Sequence, residues 1–304
     1  MKKQIFFLTF LLLAATRGQA QDTPHEINLM LGGGLSGLKY SVNEGKNNIN
    51  FAIQGGLGYT YFINSNFAVV TGLEYGMYNS TGVLNDRTVS TTGLRDEDRT
   101  SPAYPNGEPF TYNVKTTGYE EKQKIGMLNI PIMGQYRREL VDDIQLYVQA
   151  GLRLGFPMSA TNSAEAQQLS IKAHYDQSNV DLPEDGAQYR GLGVYDDWTS
   201  DKQDLKLNMA YSICLETGLN YALSTDWKVY GGLYFDYGLN SLVKNKANIE
   251  TMVPYNPQSS GAPEVNPIMD LKTTGDAKII SFGMRLRIAF APTIGGRGGS
   301  RRRW

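Results

Sequence analysis

In this chain apolar side chains recur at every second position, over several stretches longer than the usual strand of about five or six residues. Residues 276–290 read DAKIISFGMRLRIAF, with Ile280, Phe282, Met284, Leu286, Ile288 and Phe290 on one face and Ser281, Gly283, Arg285, Arg287 and Ala289 on the other. A period of two sends successive side chains to opposite faces of an extended strand, whereas a helix repeats after about 3.6 residues. The pattern returns at 205–221, where Leu205, Leu207, Met209, Tyr211, Ile213, Leu215, Leu219 and Tyr221 oppose Lys206, Asn208, Ser212, Glu216 and Asn220. At 144–156, Ile144, Leu146, Val148, Ala150, Leu152, Leu154 and Phe156 oppose Gln145, Tyr147, Gln149 and Arg153. Segments near 26–40, 49–63, 67–79, 119–138 and 227–240 complete a set of eight. No apolar run is long enough to cross a bilayer as a helix. The expectation is an all-β chain, and 33 Gly with 19 Tyr fit it.

The connections between these segments alternate in length. Residues 64–66, 139–143 and 224–226 are short turns rich in Asn, Ser and Asp, while 81–117, 159–204 and 241–275 are long polar stretches with Pro and Gly, and 41–48 is a shorter one on the same side. Short turns at one end and long connections at the other predict a transmembrane, antiparallel, up-and-down β-barrel of about eight strands, with periplasmic turns, long extracellular loops and both termini periplasmic. A soluble sandwich or lipocalin-like barrel would bury the apolar faces instead. Against it, the opposite faces carry Glu74, Arg153, Glu216, Asp236, Arg285 and Arg287. Tyr61, Phe67, Tyr136, Tyr221, Trp227 and Phe290 also gather beside the short turns or the final strand end, where an interfacial aromatic girdle belongs.

Before the first strand, Lys2 and Lys3, an apolar run over 5–15 and Gly18-Gln19-Ala20 have the form of a secretory signal peptide over residues 1–20, cut before Gln21. No cysteine adjoins the cut, so no lipoprotein anchor is expected, and Cys214, the only cysteine, excludes an internal disulfide. The barrel is expected over 21–290. Residues 291–304 (APTIGGRGGSRRRW) are expected to be a disordered Gly- and Arg-rich tail whose Arg297, Arg301, Arg302 and Arg303 are suited to anionic lipid or peptidoglycan. With 29 basic against 30 acidic residues, nucleic acid is not an expected partner.

The run Met127-Leu128-Asn129-Ile130-Pro131-Ile132-Met133-Gly134-Gln135-Tyr136-Arg137, the segments Gly72-Leu73-Glu74-Tyr75 and Gly151-Leu152-Arg153-Leu154-Gly155, and the last strand ending in Phe290 resemble the small outer-membrane β-barrel proteins of Gram-negative bacteria. This is the outer membrane protein beta-barrel domain or PorT-like group, related to the porins. The resemblance spans about 26–290. It implies insertion by the barrel assembly machinery with the closing strand as signal, and a place in outer-membrane lipid and lipopolysaccharide. A PorT-like member would be an accessory of a protein secretion or assembly machine. Here the chain continues past the terminal aromatic, through 291–304.

Glu74, Arg153, Glu216, Asp236, Arg285 and Arg287 lie about three to nine residues from the short-turn ends of their strands. They are therefore expected in one interior band, as a plug of ion pairs rather than a pore lining. Candidate chemistry is thin. Gly32, Gly34 and Gly37 match G-x-G-x-x-G, but no helix follows to receive a phosphate. His174, Asp176 and Ser178 are the one set that an outer-membrane hydrolase or acyltransferase would use. Cys214 is expected to pack in the lumen. No metal-ligand spacing is present, and no catalytic residue, cofactor or metal is expected. Residues 159–204 hold nine acids and three basic residues. There Tyr189, Tyr195, Asp196, Asp197 and Trp198 are expected to form a recognition surface for an extracellular partner, a periplasmic partner being the alternative. Divalent cations bridging that acidic loop to lipopolysaccharide are a variant of this surface.

Overall fold

The computed structural model describes residues 25–141, 143–224, 226–243, 249–258 and 262–291. The expected signal peptide and the tail beyond Ala291 lie outside them. The described chain is all-β: β1 (His25–Lys39), β2 (Gly45–Ile49), β3 (Phe51–Phe62), β4 (Phe67–Leu84), β5 (Arg87–Asp96), β6 (Glu108–Thr117), β7 (Glu120–Val141), β8 (Ile144–Tyr175), β9 (Val180–Leu182), β10 (Gly193–Thr199), β11 (Gln203–Asp204), β12 (Ala210–Ala222), β13 (Trp227–Gly238) and β14 (Lys278–Phe290), with one 3-10 turn at Ile268–Asp270. Among the described residues no helix is long and apolar enough to cross a membrane.

Eight of these strands form an antiparallel ring in the order β12-β13-β14-β1-β3-β4-β7-β8, and β8 pairs with β12 to close it. The count of fourteen exceeds the eight read from the sequence because β2, β5, β6, β9, β10 and β11 all build on the end that carries the long connections. At the other end the turns are short and held by local side chains: the Asn64 Oδ1 accepts the N–H groups of Asn66 (2.9 Å) and Phe67 (2.8 Å), and the Ser224 Oγ accepts that of Trp227 (3.2 Å).

The direction of the pleat decides between membrane and soluble barrel. On β14, Met284 is 70% exposed while its neighbour Arg285 is 5% exposed, and the same inversion runs round the ring through Leu29, Leu57, Leu73, Leu152, Leu215 and Leu233. The apolar face is outside and the charged face inside, which a water-soluble sandwich or lipocalin-like barrel cannot tolerate. From Ile280 to Phe290 the outward apolar row spans eleven residues, ten steps along the strand. At about 3.3 Å per residue and a tilt of about 40°, it is roughly 25 Å tall, the height of an outer-membrane apolar band.

Two expectations about the long connections are corrected. First, 81–117 and 159–204 are not simply loops: β4 runs on to Leu84, β8 to Tyr175, and the β5–β6 hairpin pairs with the upper half of β8 through Thr111–Thr117. The alternation there was hidden because the inward residues are Ala160, Asn162, Ala164 and Ala166, too small or too polar to stand out by hydropathy. Second, the described residues of 241–275 are not a solvated loop. Among them Leu242, Val243, Met252, Val253, Val265, Ile268, Met269 and Leu271 join one large apolar core with Leu38, Tyr119, Met127, Leu169 and Ile279 at the long-loop end. Residues 205–209, read as strand, turn away to serve this core: Leu205 is buried and Leu207 bridges Val243 before β12 starts at Ala210.

Candidate functional site

Interior side chains come from one parity on each ring strand, so the register dictates which charges meet. Cys214 stands opposite both Gly151 and Asp236, Glu216 opposite Gln149, and Gly232 opposite Arg285. The structure brings all six charged residues named from the sequence into contact. Arg153 pairs with Asp236 and, at 3.0 Å, with Glu74. Arg285 reaches Glu216 at 2.7 Å and Glu74 at 3.8 Å, and Arg287 reaches Glu216 at 2.9 Å. The Tyr147 hydroxyl donates to Glu216 at 2.9 Å, and the Arg287 guanidinium sits over the rings of Tyr147 and Tyr230. Three carboxylates and three guanidiniums compensate one another in an interior where an unpaired charge is costly. Cys214 is buried beside Val70 and Met133.

A second tier, closer to the short turns, is absent from the sequence reading. Buried Glu26 pairs with Lys228, accepts the Tyr230 hydroxyl at 2.7 Å and lies 3.8 Å from Arg137. The Arg137 guanidinium covers the Phe62 ring at 3.7 Å and donates to the Ser65 carbonyl at 2.8 Å, which ties the lumen to the first short turn. Parity was the available signal, since Lys228 and Tyr230 share the inward face of Asp236, and Arg137 alternates with outward Tyr136.

Above the ion pairs, and beyond the lipid-facing row of β7 that ends near Gly126, Glu121 is fully buried. It accepts from the Gln123 side chain at 2.7 Å, from the Ile268 N–H at 2.9 Å and from the Tyr119 hydroxyl at 3.3 Å, so one carboxyl anchors the 241–275 segment to the wall. Burial pushes it up to about 7 against these hydrogen bonds.

The aromatic girdle residues occupy the short-turn end and face outward: Phe67 meets Tyr136 at 5.2 Å, Trp227 meets Phe290 at 5.1 Å, Tyr61 packs on His25, and Tyr221 is exposed. The recognition surface needs correction. Tyr195 and Trp198 are buried in the apolar core of the long-loop end, because β10 pairs with β8 and turns them inward. Only Tyr189, Asp196 and Asp197 of that set remain exposed. The His174 nitrogens lie 2.7 Å from Asp181 and 3.4 Å from Asp176, which leaves neither for Ser178, so the residues of a triad are not assembled. Gly34 and Gly283 pair across β1 and β14 so tightly that a Cβ on Gly34 would come within 2.2 Å of the Phe282 carbonyl oxygen. The glycine motif is close backbone approach within a sheet. Among the described residues no group of His, Cys, Asp and Glu is arranged to hold a metal.

Neisserial surface protein A matches at TM-score 0.33 and 10% identity, over 88% of this chain and 97% of that one. The N-terminal β-barrel domain of Pseudomonas aeruginosa OprF matches at 0.28 and 11%, over 88% and 97%. Ail, the attachment invasion locus protein of Yersinia pestis, matches at 0.27 and 10%, over 87% and 96%. Likeness at this level carries no argument. No curated protein matches the chain by sequence. The family described as "Outer membrane protein beta-barrel domain" matches residues 19–244, about three quarters of the chain, without singling out a PorT-like branch. A closed ring with its apolar face outward, its charges paired inside and this match place the chain in the outer membrane, as a member of the outer membrane protein beta-barrel domain family.

Proposed function

We propose that this protein is a closed, non-catalytic barrel that works through the folded structure on its long-loop end, as a contact surface or in the integrity of the envelope. The reading is supported by two tiers of ion pairs in the ring and by the apolar core that described residues of 241–275 join at the long-loop end, which together would fill the interior. An eight-stranded ring leaves room for side chains and little else, and the engaged nitrogens of His174 speak against hydrolysis there. The long-loop end faces outward and both termini face the periplasm in this reading, following the rule that long barrel loops are extracellular. The β5–β6 hairpin, Tyr189, Asp196 and Asp197 are then the surface that a partner meets.

The test is conductance. The purified protein is expected to show a heat-shifted band on a gel, the mark of an intact barrel, and no steady current in planar bilayers. Steady current from folded protein overturns the closed-barrel reading and makes the arginine tier a selectivity element.

A further inference from the structure

On the outer wall, where the apolar band ends toward the long loops, Lys39 of β1 and Lys278 of β14 stand directly opposite one another. Both point outward, Lys39 continuing the row of Leu31 and Leu35 and Lys278 that of Phe282 and Ile280. Like charges on directly paired positions repel, and sheets ordinarily avoid them. A third lysine, Lys46 of β2, lines the same groove of about 590 Å³. Against the three ammonium groups stands only Asp276, a balance of +2 among the groove's charged residues. The Lys39 ammonium donates to the Asn47 carbonyl at 2.6 Å, which holds it in place with donors to spare. Among the described residues, neither Lys46 nor Lys278 forms an ion pair. The lower rim is Tyr237 and Ile280, paired across β13 and β14 as the last apolar step of the wall. A groove that is basic above and apolar below, at headgroup depth, matches a phosphate joined to acyl chains better than a free ion.

We propose that Lys39, Lys46 and Lys278 form a site for a phosphorylated lipid headgroup, that of the lipid A glycolipid in the outer leaflet. The choice of leaflet rests on the outward orientation proposed above. The phosphate lies between the two paired ammonium groups and removes their repulsion, and the acyl chains run down the wall past Tyr237 and Ile280.

The refolded protein in zwitterionic micelles is titrated with diphosphoryl lipid A, with dephosphorylated lipid A and with inorganic phosphate, and bound molecules are counted by native mass spectrometry. Diphosphoryl lipid A is expected to bind, and the triple variant Lys39→Gln, Lys46→Gln, Lys278→Gln to weaken it at least about tenfold. The three Lys→Arg changes restore it. Lys115→Gln with Lys172→Gln, on the far part of β6 and β8, leaves it unchanged, and heat-shifted mobility verifies that each variant folds. Equal binding by the Gln triple variant, or equal loss in the control pair, overturns the site. Inorganic phosphate that displaces lipid A, or dephosphorylated lipid A that binds as well, overturns the lipid-phosphate assignment. Orientation is tested separately by labelling a cysteine placed at Tyr189 in intact cells. A failure there removes the outward reading, while the micelle titration still decides the site.

Discussion

Arg153 and Arg285 occupy the same interior band but not the same electrostatic position. Arg153 is the one cation paired with Asp236 among the described residues, and it also holds Glu74. Arg285 shares Glu216 with Arg287, so its removal leaves that carboxylate neutralised. Stripping one partner from a buried pair costs about 3–5 kcal/mol when the remaining charge is stranded. Arg153→Ala is therefore expected to destabilise the barrel by about that amount, and Arg285→Ala by clearly less. Urea unfolding in lipid vesicles, read by tryptophan fluorescence, ranks the two, and equal costs would show that the six charges act as one undivided network. The bulk of this site was legible in the sequence because charged residues at fixed parity on an otherwise apolar strand have only the lumen to occupy. Which acid meets which arginine was not legible, since partners such as Arg153 and Asp236 are far apart in sequence and meet only through the stagger of β8, β12 and β13.

Among the elements, the 241–275 segment departs furthest from its sequence. Its apolar residues are scattered without period, so nothing local marks it as core; it becomes core because the ring below offers an apolar mouth to fill. Glu121 pins it through the Ile268 N–H. The folded carboxyl, pushed up to about 7 from 4.5, binds its proton more tightly than the unfolded one. Its contribution to holding the segment thus improves as the pH falls from about 7 toward 4.5 and is lost as the pH rises through about 7. Hydrogen exchange at the Ile268 amide, corrected for intrinsic rate, is expected to show stronger protection at pH 5.5 than at pH 8. Glu121→Gln is expected to flatten this dependence, and an unchanged pH slope in that variant would place the titrating group elsewhere.

For the whole molecule, the decisive property is which face of the ring meets lipid. Leu286 lies near the middle of the outward row and Phe290 at its short-turn edge. Leu286→Arg is expected to cost about 2–4 kcal/mol of folding stability in vesicles and Phe290→Arg about 0–1 kcal/mol, because the penalty for an arginine falls with distance from the bilayer midplane. A depth-independent cost would contradict the lipid-facing assignment. By itself the sequence determined the strand parity, a ring of about eight long strands, the short-turn end and the inward parity of Arg153, Arg285 and Arg287, since each of these follows from alternation and turn chemistry within a few residues. Only the tertiary structure decided the pairing of the charges, the burial of Tyr195 and Trp198, the apolar core that the described residues of 241–275 join and the meeting of Lys39 with Lys278. These depend on the register between strands distant along the chain and on the space that ring closure leaves, and no local pattern encodes either.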